Sequence, residues 1–259
     1  MIFHETGLDL SQSIQRQQLP RSIGSKRLTF SFDDGVRQDV RVLEILNRYR
    51  LKATFNLNSA LLGKDMTVNA YGKTVPFQHF AADEIPDVYR GHEIAAHTRT
   101  HRDLTKLSAH EIISEIEGDR LTLSEVCEYP VIGMAYPGEG CNHDNRVLSL
   151  IRAKSKIQYA RTVQCSSGFA DPTDLLQVNP TARATDFSRL NILADQFLSL
   201  PASQPALFYI WGHSFDFDIF DGWEAFEAFC EKISGRADIA YCTNREALFP
   251  CEPAGGVHL

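Results

Sequence analysis

The chain has 259 residues, 43% of them hydrophobic, with 26 Lys and Arg against 33 Asp and Glu and a formal charge of -7 at pH 7. That length and apolar share suit the core of one α/β barrel. The acidic balance carries no basic run or stripe, which excludes the electrostatic footprint of a nucleic-acid or anionic-membrane binder and favours a neutral or cationic small substrate.

The first residues, MIFHETGLDLSQSIQRQQ, lack a basic start followed by a continuous apolar stretch, and no later segment reaches the length of a bilayer span. The six cysteines, Cys127, Cys141, Cys165, Cys230, Cys242 and Cys251, lie far apart with no C-x-x-C pair. That spacing argues against a zinc knuckle or a disulfide-stapled scaffold; the expectation is a cytoplasmic protein with reduced thiols.

Strand and helix patterns alternate along the chain. Arg27–Phe32 alternates apolar residues as a buried strand does, and Asp33-Asp34-Gly35 follows at once. Val36–Tyr49 repeats apolar residues at Val36, Val40, Leu43 and Ile45 or Leu46 with a helical period. Ala53–Leu57 reads as the next strand, Gly63–Phe77 as a long loop, and Glu93–Ala96 as a strand running into "HTRTH", His97 to His101. Ser108–Val126 is predicted helical through Ile112, Ile116 and Leu123, with Ser108 and Glu111 as a capping box. Strands follow at Val131–Tyr136, Tyr159–Thr162, Ala206–Ile210 and Ile239–Tyr241, with Cys165–Asp186 a second long loop of the kind that shapes a substrate cleft. No repeat or low-complexity linker interrupts the pattern. The expectation is an α/β fold of parallel strands covered by helices, one domain over residues 1–259 with its core at about 27–249.

Several polar residues fall at or just beyond strand C-termini: Asp33 and Asp34, His97 and His101, Tyr136-Pro137-Gly138, and His213. In α/β barrels that end carries the site. Neighbouring carboxylates at the mouth of a core repel and lose hydration, so Asp33 and Asp34 ask for a cation, a shared proton or solvent. His97 and His101 are spaced to face one point, and two imidazoles with a carboxylate from Asp34 make a three-ligand set for zinc or a similar divalent ion, leaving Asp33 free as a base. His213 is either a solvated loop histidine or a general acid kept cationic by Asp216 and Asp218. His92, ahead of its strand, reads as a surface or supporting residue, and His4, His79, His110, His143 and His258 as solvent-facing ones.

Together these residues resemble the polysaccharide deacetylase, or NodB-homology, family of carbohydrate esterases over roughly Leu28 to Phe249. "SFDDG" (Ser31 to Gly35) is similar to that family's first motif, "HTRTH" to its metal-binding H-[ST]-x-x-H motif, "AYPGEG" (Ala135 to Gly140) to a variant of its third, and "WGHS" (Trp211 to Ser214) to its terminal L-x-H motif. The resemblance implies a distorted, incomplete (β/α) barrel, TIM-like, and metal-dependent removal of acetyl groups, N- or O-linked, from an acetylated sugar or oligosaccharide. It implies Asp34, His97 and His101 as ligands of a divalent ion, zinc first and cobalt or manganese next, with Asp33 as general base and His213 as general acid. Tyr136, Pro137 and Gly138 would form the oxyanion and substrate loop, the Gly138 N–H serving as donor.

Two departures stand out. The usual third motif begins with an arginine that orients the catalytic aspartate, and Ala135 stands in its place; Arg161 is the candidate substitute, against an ordinary structural role. The aromatic that usually follows the motif proline is replaced by Gly138. Trp211 either stacks on a sugar face or packs into the core. Two alternative functions stay open: hydrolysis of a small amide, cyclic imide or ureide on the same fold, and a catalytically silent carbohydrate-binding domain.

Overall fold

A computed structural model describes residues 26–249. In chain order its elements are β1 (Lys26–Asp34), α1 (Asp39–Arg48), β2 (Ala53–Leu57), β3 (Asp65–Ala70), β4 (Lys73–Gln78), α2 (Ile85–Val88), β5 (Glu93–Ala96), α3 (Ala109–Cys127), β6 (Gly133–Ala135), α4 (Asn145–Lys154), β7 (Tyr159–Arg161), β8 (Ala182–Arg183), α5 (Phe187–Ser199), β9 (Ala206–His213), α6 (Asp216–Ile219), α7 (Trp223–Ile233), β10 (Ile239–Tyr241) and α8 (Asn244–Leu248). Parallel strands run in the order β7-β6-β5-β2-β1-β9-β8, with β10 beside the first residues of β1 below β2. The curled sheet is a distorted half-barrel, and it is left open between β7 and β8. There the irregular segment ahead of β8 bridges the gap: Val178 N–H donates to Ala160 O (2.9 Å) and Thr162 N–H donates to Val178 O (2.9 Å).

The alternation in β1 sorts its side chains to two environments. Leu28, Phe30 and Phe32 pack outward, where Phe226 meets Phe30 and Phe32 edge-on. Thr29, Ser31 and Asp33 point the other way, into a lumen that is hydrogen-bonded rather than oily. Thr29 donates to Asn244 (2.8 Å), Asn56 to Ser31 (2.9 Å), and both Thr54 (2.7 Å) and Tyr159 (2.9 Å) to the buried Glu93, whose pKa burial raises. Asn244, at the start of α8, plugs the lower end of this column. The polar column leads upward to Asp33.

Gly63–Phe77 departs from the expected long loop. It contains the antiparallel hairpin β3–β4, joined by Tyr71 and Gly72, both left-handed at φ 51° and 76°, as a two-residue primed turn requires. Val68, Val75 and Phe77 on one hairpin face pack on Val36, Phe215 and Ile219. The turn uses Tyr-Gly where Asn-Gly or Asp-Gly is the usual signal, and the strands draw stability from a site outside the main core. Cys165–Asp186 is irregular apart from β8, and β9 continues past Ile210 to His213. The cysteines at 127, 141, 165, 230 and 242 are free; Cys251 lies outside the described residues. Among those residues, no helix is long and apolar enough to cross a membrane.

Candidate active site

β1 delivers Asp33 and Asp34, β9 delivers His213 at the register position beside Asp33, and the loop after β5 delivers His97 and His101. Asp34 Oδ1 lies 3.8 Å from His97 Nε2 and 3.6 Å from His101 Nε2. Asp33 Oδ2 lies 3.9 Å from both His97 Nε2 and His213 Nε2. One donor atom each from Asp34, His97 and His101 falls within 4.8 Å of the others, the one such cluster among the described residues. Asp34 and Gly35 are both left-handed, and a side chain at Gly35 would run into Leu57 Cδ2, so that turn accepts glycine alone.

The surroundings of Asp33 favour its charged form. Burial pushes Asp33 up, but Arg161, aided by His97 and His213, outweighs it and holds the carboxyl below the ordinary range. Arg161 is fully buried; its Nη2 donates to both oxygens of Asp33, and Asn56 Nδ2 donates to Asp33 Oδ1 at 2.8 Å. Arg161 pairs in register with Ala135 on the neighbouring strand, so the guanidinium arrives one strand over from where the third motif would have supplied it. Burial pulls His97 down to about 4, leaving it neutral. Its Nδ1–H donates to Ala135 O (2.9 Å), so Nε2 presents a lone pair toward Asp34. A neutral imidazole with a fixed tautomer, a second imidazole and a buried carboxylate fit a divalent ion of borderline softness.

His213 has the opposite bias. Burial lowers its pKa, yet the Asp216 hydrogen bond and the charges of Asp34, Asp216 and Asp33 raise it further, and the net is above the usual value. Its Nδ1 stands 3.1 Å from Asp216 Oδ2, and Arg183 Nη2 donates to the same oxygen at 3.1 Å. Replacing Asp216 with Asn removes the main support of the charged ring. The sign follows directly: if protonated His213 is needed, activity is lost as pH rises through its pKa, and Asp216→Asn moves that basic limb to lower pH. A pH–rate profile of kcat/KM checks it.

Other expected residues fall elsewhere. Trp211 is 4% exposed and lies within cation–π range of Arg161 (4.7 Å) and Arg183 (5.2 Å), so it is a packing residue and not an open sugar platform. Tyr136 is fully buried, and its hydroxyl donates to Leu176 O (2.9 Å), which leaves only its backbone to the loop. Pro137 is buried, Gly138 is exposed with φ 82°, and Asn142 Nδ2 ties the loop by donating to Tyr136 O and Gly138 O, 3.1 Å each. His79 is buried, contrary to expectation: Val36 bridges to it beside the Asp34 turn, and its Nε2 has no partner. His143 is half-buried and stacked on Tyr136 at 4.6 Å, also contrary to expectation, whereas His110 is exposed. His92 accepts from the Ala53 N–H (3.1 Å) at the far end of β2. His4 and His258 lie outside the described residues. Asn56 and Asn142 escaped notice as supports of the site, although the polar half of the β1 and β2 alternation marks Asn56 in hindsight; of the two acids expected beside His213, Asp216 is there and Asp218 instead accepts from Trp223 Nε1 (2.8 Å).

A family model described as Polysaccharide deacetylase matches residues 21–155. The chain belongs to that family. Peptidoglycan-N-acetylglucosamine deacetylase PgdA of Listeria monocytogenes is 29% identical over 109 residues, 41% of this chain and 20% of that protein, so the chain spans about a fifth of that relative's length. A family 4 acetyl xylan esterase from Clostridium thermocellum, solved with a cobalt ion, superposes with a TM-score of 0.55 at 16% identity over 86% of this chain and 90% of that one. BA3943 of Bacillus anthracis, a CE4 family pseudoenzyme, superposes with a TM-score of 0.51 at 16% identity over 87% of this chain and 66% of that one. At these identities the structural likenesses establish the half-barrel of the polysaccharide deacetylase family and nothing finer.

Proposed function

We propose that the chain is a metal-dependent hydrolase that removes acetyl groups, N- or O-linked, from a carbohydrate. The observation that carries the proposal is the convergence of Asp33, Asp34, His97, His101 and His213 at one end of the half-barrel, with a buried arginine on Asp33. The family match supports it, as does the relative named for deacetylating peptidoglycan N-acetylglucosamine.

Asp34, His97 and His101 would hold the ion, zinc first, with cobalt or manganese satisfying the same donors. A divalent ion there supplies Lewis acidity, polarising an acetyl carbonyl and lowering the pKa of water. Asp33, ionised and pinned by Arg161 and Asn56, takes the proton from the attacking water. The exposed Gly138 N–H, which has no acceptor among the described residues, is free to donate to the developing oxyanion. His213, held protonated by Asp216, gives its proton to the departing amine or alkoxide. The described cysteines, all free and two of them exposed, suit a reducing compartment such as the cytoplasm. A single domain would account for the whole chain.

A second reading, hydrolysis of a small amide, cyclic imide or ureide, is favoured by two observations: Trp211 is buried, and a glycine stands at 138 where the resemblance leads one to expect an aromatic, so two rings that could flank a sugar are missing. A panel of acetylated sugars and small amides separates the two, because turnover of amides alone would reject the sugar.

Metal content by elemental analysis, on protein reloaded with zinc, tests both. About one ion per chain is expected in the parent and none in a His97→Ala, His101→Ala double variant. An equal content in the two proteins would remove the proposed site.

A further inference from the structure

The segment from His97 to His101 is held in a conformation its residue types resist. Thr98 (φ 62°) and His101 (φ 59°) are both left-handed without being glycine, and Thr98 is β-branched and fully buried. Such a backbone persists only where its surroundings over-determine it. The surroundings here are two carboxylates on one face of α3 and an asparagine just after β2.

Asp119, fully buried, accepts from the His97 N–H through Oδ2 (2.9 Å) and from the Ser59 N–H through Oδ1 (2.6 Å). Glu115, one helical turn earlier, accepts from the Thr100 N–H through Oε2 (2.8 Å) and from Thr100 Oγ1 through Oε1 (2.6 Å), while its backbone carbonyl accepts from the Arg99 N–H (2.9 Å). From the other side Asn58 Nδ2 donates to His97 O (2.6 Å) and Thr98 O (2.7 Å), and Ala60 N–H donates to Arg99 O (3.0 Å). The backbone N–H groups of Arg99 and Thr100 are therefore directed at α3, and the His97 N–H is shared between Asp119 on α3 and Leu57 O on β2 (2.9 Å). Neither carboxylate touches an imidazole ring. Their hold is on the main chain that carries both rings.

We propose that Glu115 and Asp119, with Asn58 opposite, are positioning residues that set the distance and angle between His97 and His101, and so tune the affinity of the site for a divalent ion. The inference rests on the reading of Asp34, His97 and His101 as metal ligands. It adds a support that lies outside the four motif segments, on a helix whose charged residues otherwise look like a solvated face.

The test is zinc affinity by chelator competition on the full chain, beside the thermal midpoint of each metal-free protein. Glu115→Ala and Asp119→Ala are expected to weaken zinc binding by about 10- to 100-fold, the range seen when residues supporting metal ligands are removed. Glu115→Gln should recover most of the loss, because one amide oxygen still accepts from the Thr100 N–H and the Thr100 hydroxyl can turn to accept from the amide. Thr100→Val, at an exposed position that should fold whatever the alanine variants do, is expected to show a smaller loss in the same direction. Glu117→Gln is the control. It loosens the Arg120 and Ser155 contacts of the same helix without touching the loop, so it should lower the midpoint and leave zinc affinity unchanged. Zinc affinities in the Glu115 and Asp119 variants equal to the parent's, with lowered midpoints, would reduce these residues to structural ones and overturn the inference alone. Failure of the parent to bind zinc would overturn it together with the metal reading.

Discussion

Asp33→Asn is expected to lose turnover by about two to four orders of magnitude while keeping its metal. The asparagine is the same size and still accepts from Arg161 and Asn56 through its amide oxygen, so the position of the side chain survives. What disappears is the ability to take a proton, together with the counter-charge of buried Arg161, so the variant is also expected to be less stable than the parent. The carboxyl is held below the ordinary range by Arg161, His97 and His213 against the pull of burial, so it is ionised at neutral pH and available as a base. Asp34, His97 and His101 are unaltered, so zinc content by elemental analysis should match the parent's. Steady-state kinetics on an acetylated sugar or amide provides the other half of the measurement. A variant with metal bound and full activity would assign the proton transfer to another group.

Arg161→Met should cost more stability than any other single change at the site. Arg161 and Asp33 are both buried, the arginine completely, and removal of one partner leaves a charge in a medium that solvates it poorly. Breaking such a pair costs about 3–5 kcal/mol, a fall in thermal midpoint of about 6–20 °C for a chain of this size. The double variant Arg161→Met, Asp33→Asn should recover part of the loss, because no uncompensated charge remains. Differential scanning calorimetry across pH supplies a second signature. In the parent, the depressed Asp33 carboxyl contributes stability above its unfolded value, lost as pH falls through the folded one. In Arg161→Met the largest lowering influence is gone and burial dominates. The carboxyl then titrates higher in the folded state than in the unfolded one, and stability falls as pH rises through that window. Similar midpoints for parent and single variant would show that the pair contributes nothing.

Much of the architecture was legible because β strands and helices write their periods into the chain. The alternation before Asp33, the "HTRTH" spacing and the capping box at Ser108 each depend on neighbours close in sequence, and they led to parallel strands covered by helices with polar residues gathered at one end, while the incomplete barrel itself followed from the resemblance of the motifs to a known family. The hairpin was hidden because Tyr71-Gly72 gives a weak turn signal and its strands pack on Phe215 and Ile219, residues almost 150 positions away. His79 looked like a solvent-facing residue for the same reason: the hairpin buries it. Trp211 could not be sorted between a sugar platform and a packing residue until Arg161 and Arg183 were seen beside it. Arg161 itself entered only as a candidate, since nothing in the sequence reveals that its strand lies in register with Ala135. The support from Glu115 and Asp119 was invisible because it passes through backbone amides, which every residue has.

The pairing of Ala135 with Arg161 bears on how relatives of this chain should be compared. Adjacent strands stand about 4.8 Å apart, less than the length of an arginine side chain, so a guanidinium can change its strand of origin and still end on the same carboxylate. An alignment column records that exchange as a deletion of function, because the arginine vanishes from one motif and reappears in a segment belonging to none. A comparison by location would record no loss of charge at all. Chains set aside as inert because a single motif arginine is missing therefore merit a search of the two flanking strands at the same height for a displaced cation.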